Sequence, residues 1–555
     1  MPYRAKLTDY FRSRDRGWTL ALLAVVFALY APFLGGPFLF DDFSFFLGGA
    51  AKQYAHSWFH FDLRWLPYAT LGWTEMEFSN VVTHFFHLGN LLIHAANVIL
   101  LFHLLRRLAL GAIPHHPNPR ILAWAAWAGA LVFALHPVAV YAVGYVVQRS
   151  ILMAVFFVLV MQLSYLQGLL TGRWGWLLLS AAAYFMAVFS KEHSVMAPAL
   201  LAAETLLLRG QIQASRRSLW LVWAAFASIA LLIIMIAKGV FGTPYEAMAV
   251  SLFEQQGVAT GSTPMLHLLS VMTQMGLFFK YLLLWIVPDP AWMSIDMREP
   301  FVPSLGAWQG WLGAAAFLLY GIAGIWLLLR GGRRGLLGLA LLYPWLQFVL
   351  EFSSIRVQEP FVLYRSYLWM PGLMLVFPVL ADELARKLAD KLRGTVALLG
   401  VAALAAVLAA GAANRLWVMA DPFRLWDDAA RLLPDEKVAG ADRIYFNRGQ
   451  AEEGLGRLDD AIADFRRSLA VSPQYAPVHF ELGWTLARRN RLDDAMVQFD
   501  EAIALDPTFA NSYFGKAMIL KMRGQNQEAA KMMAKSCELK NAMACLLSRG
   551  YVENK

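Results

Sequence analysis

Twelve apolar runs fill the first 414 residues, near 18–36, 81–105, 121–141, 150–170, 175–190, 195–208, 218–238, 265–287, 307–329, 335–352, 366–382 and 394–413. Runs of roughly 20 such residues match a bilayer when wound as helix, and only helices or closed barrels satisfy their own backbone there. A chain of 555 residues that is 59% hydrophobic and 16% charged is too apolar for one soluble core. The expected fold class is all-α, a polytopic helical membrane protein with a soluble attachment. From about Arg415 charged residues become dense and long apolar runs cease. This divides the chain into a membrane domain at 1–414, a linker or first soluble helix at 415–442 and a soluble domain at 443–555.

Positive residues set the expected orientation. Arg4, Lys6, Arg12, Arg14 and Arg16 precede the first run, and no small-residue cleavage pattern follows it, so the run reads as a retained span. Short basic connections at Arg106/Arg107/Arg120, Arg173, Arg209/Arg216/Arg217, Arg330/Arg333/Arg334 and Arg386/Lys387/Lys391/Arg393 mark the cytoplasmic side. If every run crossed, Arg330–Arg334 would fall outside. Treating 265–287, with Lys280 inside and Pro288 and Pro290 after it, as re-entrant or interfacial restores agreement. The expectation is about eleven crossings, a cytoplasmic N-terminus and an external C-terminus. The net charge of +9 is accounted for by these loops and does not imply nucleic acid.

The remaining connections, 37–80, 137–150, 190–194, 239–306 and 352–365, are mixed in charge and fall outside. They collect Asp41, Asp42, Arg149, Lys191, Glu192, Arg356, Glu359 and Arg365. Ionisable groups gathered at one membrane boundary point to a site there. The stretch "GGPFLFDDFSFF" at 35–46 sets two adjacent carboxylates among phenylalanines where the first span leaves the lipid. Repulsion between the pair is expected to raise one pKa.

In the soluble part a 34-residue period is plain. "RLDDA" occurs at 457–461 and 491–495, and Gly449/Gly483, Ala461/Ala495, Phe465/Phe499 and Pro473/Pro507 recur at the same offset. Tyr445, His479 and Tyr513 hold the leading aromatic-type position and are candidates for partner binding. The pattern resembles tetratricopeptide repeats, two clear and a third degenerate one with Ala517 and Ala529, forming a short superhelix. Cys537 and Cys545 lie in the third unit. On one straight helix they would be about 12 Å apart, too far to bridge, whereas a turn at Lys540–Asn541 would bring them together. The stretch also looks like cysteine-paired Sel1-type repeats, and both outcomes stay open.

The succession of "FDD", "FHLGNLLIHAANVILLF" at 86–102, "ALHPVAVYAVGYVVQRS" at 134–150, "FSKEHSVMAPALLAAE" at 189–204 and the C-terminal repeats resembles the transmembrane and tetratricopeptide-repeat (TMTC-type) O-mannosyltransferases and their bacterial relatives. That family belongs to the GT-C class of polyprenyl-phosphate-dependent glycosyltransferases. The resemblance implies an inverting transferase of a bacterial cytoplasmic membrane, acting on its outer face. It would move a sugar from a polyprenyl-phosphate donor to a hydroxyl on a protein or glycan presented by the repeats. Asp41 or Asp42 maps onto the class's first-loop acid and would take the acceptor proton. Arg149, Lys191, Arg356 and Arg365 would bind the donor phosphate. Arg149 matches the basic residue after "HP" and Lys191 matches "SK". In "LYRSYLWMP" Arg365, Tyr367 and Pro371 are kept, but Tyr364 stands where the family has an acid.

His87, His94, His136, Glu192, His193 and Tyr367 are expected to support the site. The stripe His84, His87, Asn90, His94, Asn97 has helical spacing, with His87 and His94 two turns apart, which favours interhelical hydrogen bonds over metal ligation. No cofactor is required by a phosphate leaving group, although an acidic cluster holding a divalent metal stays open. Two other functions remain in view: an oligosaccharyltransferase using a polyprenyl-diphosphate glycan, and a non-catalytic membrane scaffold whose repeats recruit envelope-assembly partners.

Overall fold

The computed structural model describes residues 15–56, 62–77, 83–237, 263–356, 359–387 and 390–552. Arg4, Lys6, Arg12 and Arg14 lie outside the described residues, as do the side chains of Lys391 and Arg393. Every regular element among the described residues is helical. The chain forms two compact units. One ends at Ala420, and the other combines Asp296–Pro300 with the segment from Asp421 onward.

The first unit contains α1 (Asp15–Tyr30), α2 (Asp41–Leu47), α3 (Ala50–Ala55), α4 (Trp65–Glu77), α5 (Thr83–Ala112), α6 (Pro119–Leu135), α7 (Pro137–Val143) and α8 (Arg149–Thr171). It continues through α9 (Trp174–Ser190), α10 (Ala197–Leu207), α11 (Arg216–Ile236), α12 (Thr263–Ile286), α13 (Trp308–Leu329), α14 (Gly332–Phe348), α15 (Val376–Lys387) and α16 (Asp390–Met419). Among the described residues eight helical segments are long and apolar enough to cross a membrane, or up to nine if the bent pair α6–α7 is one span. That is fewer than the eleven expected, for local reasons. Runs 175–190 and 195–208 become a 17-residue helix and an 11-residue helix, parted by the charged Lys191 and Glu192. Run 366–382 breaks into 3-10 turns at Leu363–Leu368 and Pro371–Leu375 before α15, because proline cannot continue a helical ladder.

α12 is one unbroken helix of 24 residues, which excludes a re-entrant loop over 265–287 and fits an interfacial helix as well as a span. It lies along 352–366, with His267 Nε2 2.6 Å from Phe352 O, Gln274 donating to Pro360 O, and Trp285 Nε1 donating to Ser366 Oγ at 2.9 Å. The α6–α7 bend of 61° follows from Pro137 in the first turn of α7 and from His136, whose Nδ1 accepts the Val138 N–H.

α5 and α8 carry much of the buried surface. α11, α13 and α16 instead leave Trp220, Leu221, Leu319, Ile322, Leu398 and Leu399 exposed, an apolar rim of the kind that a lipid solvent accommodates. The polar stripe on α5 faces inward. Asn90 Nδ2 donates to the carbonyls of Val143, Tyr145 and Val146 at 3.2–3.3 Å, and Asn97 donates to Leu152 O at 2.9 Å and to the Tyr367 hydroxyl at 3.2 Å. These bonds join α5 to the start of α8 without leaving amides unpaired in an apolar core.

α16 runs to Met419, and the first compact unit ends at Ala420. The second unit begins with α17 (Pro422–Arg431), capped by Asp421 accepting from Arg424 N at 2.8 Å with Pro422 behind it. Its pairs are α18 (Ala441–Gly454) with α19 (Leu458–Val471), α20 (Ala476–Arg488) with α21 (Leu492–Leu505), and α22 (Ala510–Met522) with α23 (Asn526–Glu538), then α24 (Ala542–Val552). The turns within pairs place Gly456, Asn490 and Gly524 at φ 76°, 60° and 76°, one repeat apart, in the left-handed region that Gly and Asn tolerate best. Within pairs, small meets large: a Cβ at Gly449 would sit 2.8 Å from Phe465, and one at Gly483 2.9 Å from Phe499. Asp296, buried in this unit, accepts from Arg443 Nε at 2.9 Å and Nη2 at 2.8 Å.

Cys537 and Cys545 are paired, their Cα atoms 4.5 Å apart. The turn that allows this has Lys540 at φ 68° between α23 and α24. Closing so short a loop predicts that Cys537→Ser/Cys545→Ser loses about 2–3 kcal/mol in the last repeat by loop-closure entropy. Pulse proteolysis of the full chain in urea, following a C-terminal tag, should show the variant cleaved at lower denaturant than the parent.

Candidate active site

The first loop is held from two sides. His87 Nε2 lies 3.2 Å from Gly36 O, and a Cβ at Gly35 would meet the His84 ring at 3.0 Å, so the chain passes close to α5 here. Phe40 then takes φ 44°, a costly conformation for a side-chain-bearing residue, immediately before α2 opens with the two aspartates.

The aspartates have different surroundings. Asp42 is fully buried, its Oδ2 accepting from Leu39 N at 2.9 Å and its Oδ1 from Val147 N at 2.8 Å. It latches the loop to the start of α8. Burial raises its carboxyl to about 7 against the pull of those backbone donors, with the Asp41 charge only a small addition. The expected repulsion between the pair is therefore the lesser cause. Asp41 is exposed, its N–H donates to the Tyr145 hydroxyl at 3.1 Å, and among the described residues nothing donates to its carboxylate.

Tyr145 links this loop to the cationic residues. Its ring lies 5.7 Å from Phe40 and 5.8 Å from Tyr364, which precedes Arg365. Beyond it a chain of charge runs through several elements. Arg64, at the start of α4 with φ 66°, donates to both oxygens of Glu192, with Nε to Oε2 at 2.9 Å. His193 stands 3.4 Å from Glu192 by Nδ1 and 3.0 Å from Glu351 by Nε2. The other oxygen of Glu351 is 3.4 Å from Arg356 Nε and 3.3 Å from Arg365 Nη1. Arg365 also reaches Glu359, 3.9 Å between side chains. Burial would raise Glu192, but Arg64 and Lys191 outweigh it and hold it well below the usual carboxylate range.

Lys191 is buried in the same cluster, and among the described residues it makes no ion pair. Removal from water lowers its ammonium to about 7, helped by Arg64, Arg365 and Arg356 and opposed by Glu192. An unpaired cation beside a largely compensated group of guanidiniums suits an incoming anion.

Four expected site residues have other employment. Arg149 spends all three nitrogens on protein acceptors: Nε on Asn90 Oδ1 at 2.9 Å, Nη2 on Phe86 O at 2.9 Å, and Nη1 on Thr70 O at 3.2 Å. It ties α4, α5 and α8 together, leaving little for a phosphate. His136 caps α7, stacks on Trp285 at 4.1 Å and lies 3.2 Å from Trp285 O. His94 and Tyr367 share a buried 2.7 Å contact in the helix core. In the repeats, His479 Nε2 lies 3.0 Å from Pro473 O and Tyr513 donates to Pro507 O at 3.2 Å, both six residues back, while Tyr445 packs beneath Arg448 and Arg467. These three positions make local contacts within the repeats.

Glu351, Arg64 and Tyr145 were not singled out in the sequence. Glu351 carried a signal, a carboxylate inside the apolar run 335–352, whereas Arg64 and Tyr145 are unremarkable until the chain folds. Among the described residues no group of three or more His, Cys, Asp or Glu is placed to hold a metal ion.

The tetratricopeptide-repeat family matches residues 446–508, and a second model of that repeat matches 499–531. None of the curated proteins matches the chain. Two solved structures titled as MamA resemble 24% and 31% of the chain at 21% and 20% identity, covering 72% and 84% of those proteins, both with TM-score 0.20. A third is the archaeal oligosaccharyltransferase AglB from Archaeoglobus fulgidus, in complex with an inhibitory peptide and a dolichol-phosphate. It matches at 14% identity over 78% of this chain and 60% of its own length, with TM-score 0.37. At such scores the likeness carries no functional argument.

The Asp42 latch has a pH signature. Its folded pKa of about 7 lies above the ordinary 3.8, so the folded state retains a proton that the unfolded chain releases in that window. Stability should therefore fall as pH climbs from about 4 to about 7 and level off above. Thermal melts in detergent should show that slope in the parent and a flatter one in Asp42→Asn; equal slopes would remove Asp42 as its source.

Proposed function

We propose that the chain is a membrane glycosyltransferase that takes a sugar from a polyprenyl-phosphate donor and passes it, with inversion, to a hydroxyl acceptor on the extracytoplasmic face. The observation that carries the reading is Tyr145, which accepts from the N–H of the solvent-open Asp41 and lies against Tyr364, the neighbour of Arg365 in the cationic cluster that holds Lys191. In this reading Asp41 takes the acceptor proton as the hydroxyl attacks the anomeric carbon. Lys191, with Arg356 and Arg365 beside it, receives the phosphate as the bond to the sugar breaks. Asp42 and Arg149 hold the two halves of the site in register.

The TMTC-type resemblance supports this choice of chemistry. A cytoplasmic N-terminus with external repeats needs an odd number of spans, which the described residues supply if the bent pair α6–α7 is one span, giving nine, and do not supply if it is not, giving eight. The Cys537–Cys545 pair suits an oxidising compartment such as the periplasm of a bacterium. Tetratricopeptide repeats are protein-interaction modules by architecture, and presentation of a protein or glycan acceptor is the role assigned to them here.

Purified protein incubated with polyprenyl-phosphate sugars and membrane extract tests the reading. Asp41→Asn should lower turnover by about 10²–10⁴-fold, while Asp42→Asn keeps measurable turnover per folded molecule. Transfer only from a diphosphate-linked glycan would favour the oligosaccharyltransferase alternative, and no transfer from any donor would leave the scaffold. A second measurement concerns Lys191. Its ammonium is present below about pH 7, so KM for the donor should rise as pH passes through that value. Lys191→Arg should flatten the rise.

A further inference from the structure

Two guanidiniums in the cluster are buried around one carboxylate that the sequence pattern did not supply. Arg356 and Arg365 are each 6% exposed and Glu351 is 1% exposed. Isolated guanidiniums at such burial would be strongly unfavourable, so a counter-anion is obligatory whenever no ligand is present. The residue before Arg365 is Tyr364, and the acid facing Arg365 comes instead from Glu351, fourteen residues earlier.

The contacts around Glu351 are loose. Arg356 Nε stands 3.4 Å and Arg365 Nη1 3.3 Å from the same Glu351 oxygen, and Arg365 lies 3.4 Å from the Glu359 carbonyl and 3.9 Å from its carboxylate. A structural pair in the same protein looks different. Arg443 puts two nitrogens on one Asp296 oxygen at 2.8 and 2.9 Å, the short spacing of charge-assisted bonds. Glu351 meets Arg365 at a longer distance than that, and Lys191 close by makes no ion pair among the described residues.

We propose that Glu351 is a positioning residue acting as an internal counter-anion: it holds Arg356 and Arg365 while the site is empty and yields them to the donor's phosphate, easing release of the lipid phosphate afterwards. The inference rests on the phosphate-donor reading above and adds the competition that lets the site let go of its product. Without such an anion, the cations would bind substrate and leaving group alike too tightly, which lowers KM without raising turnover.

The test is Glu351→Gln, which keeps shape and removes charge. KM for the donor should fall about tenfold, kcat should fall with it as product release slows, and inhibition by free polyprenyl phosphate should tighten by a similar factor. A purely structural carboxylate predicts the reverse, a raised KM with lowered melting temperature, and that result overturns the proposal. Glu351→Asp keeps the charge and should hold KM within about twofold of the parent; a tightening there as well would assign the effect to size and overturn it.

Binding of farnesyl phosphate in detergent, followed by tryptophan fluorescence with inorganic phosphate as a parallel arm, reads the same competition without turnover. Tighter farnesyl phosphate binding by Glu351→Gln supports the inference even if no sugar is transferred, in which case the transferase reading fails alone. Active transfer with unchanged binding overturns the inference alone. Equal tightening for inorganic phosphate would assign recognition to the phosphate, and tightening confined to farnesyl phosphate would assign it to the lipid monoester; both support the counter-anion. No farnesyl phosphate binding by the parent overturns it.

Discussion

Charge withdrawn from water is the constraint on which the first unit depends. An apolar chain can bury an aspartate, an arginine and a glutamate only where each finds partners, and those partners determine which helices meet. Asp42 needs two backbone N–H groups, one from Leu39 and one from Val147, and so the first loop docks at the start of α8. Arg149 needs acceptors for three nitrogens and draws in α4 and α5 through Thr70, Phe86 and Asn90. The apolar surface decides that helices pack; these few polar groups decide their register.

The second unit solves a different problem with repetition. The first two pairs each bury a phenylalanine against a glycine of the partner helix, and all three pairs turn at a residue in the left-handed region. His479 and Tyr513 return to the carbonyl of a proline six residues back, so the position that looked available for a partner closes each repeat on itself. Conservation of spacing within one chain thus reports packing at least as readily as recognition.

The sequence made some of this legible and hid the rest for physical reasons. Helix number and repeat period come from local periodicity, which a chain displays without folding. The apolar run over 366–382 was visible, but its breakage at Pro371 was read as part of a span because hydropathy averages over the interruption. The charged candidates at Lys191, Glu192, Arg356 and Arg365 do gather in one cluster, since residues that must avoid lipid collect at helix ends. Arg149 shares their chemistry and differs only in its acceptors, which lie 59 to 79 residues away and leave no mark nearby in the chain. Glu351 lies inside the apolar run 335–352, where local hydropathy masks a single carboxylate.

The pair Asp41–Asp42 shows how adjacency in sequence becomes division of labour. Successive residues in the first turn of a helix point in different directions, so one carboxylate can enter the protein while the other stays in solvent. Asp42 enters, and burial keeps its proton near neutral pH. The buried member holds the strained turn at Phe40 against α8, which fixes where the open member sits. Exchanging their roles would require reversing the entry of α2, because the two backbone donors that receive Asp42 belong to Leu39 and Val147 and have no counterparts on the exposed side.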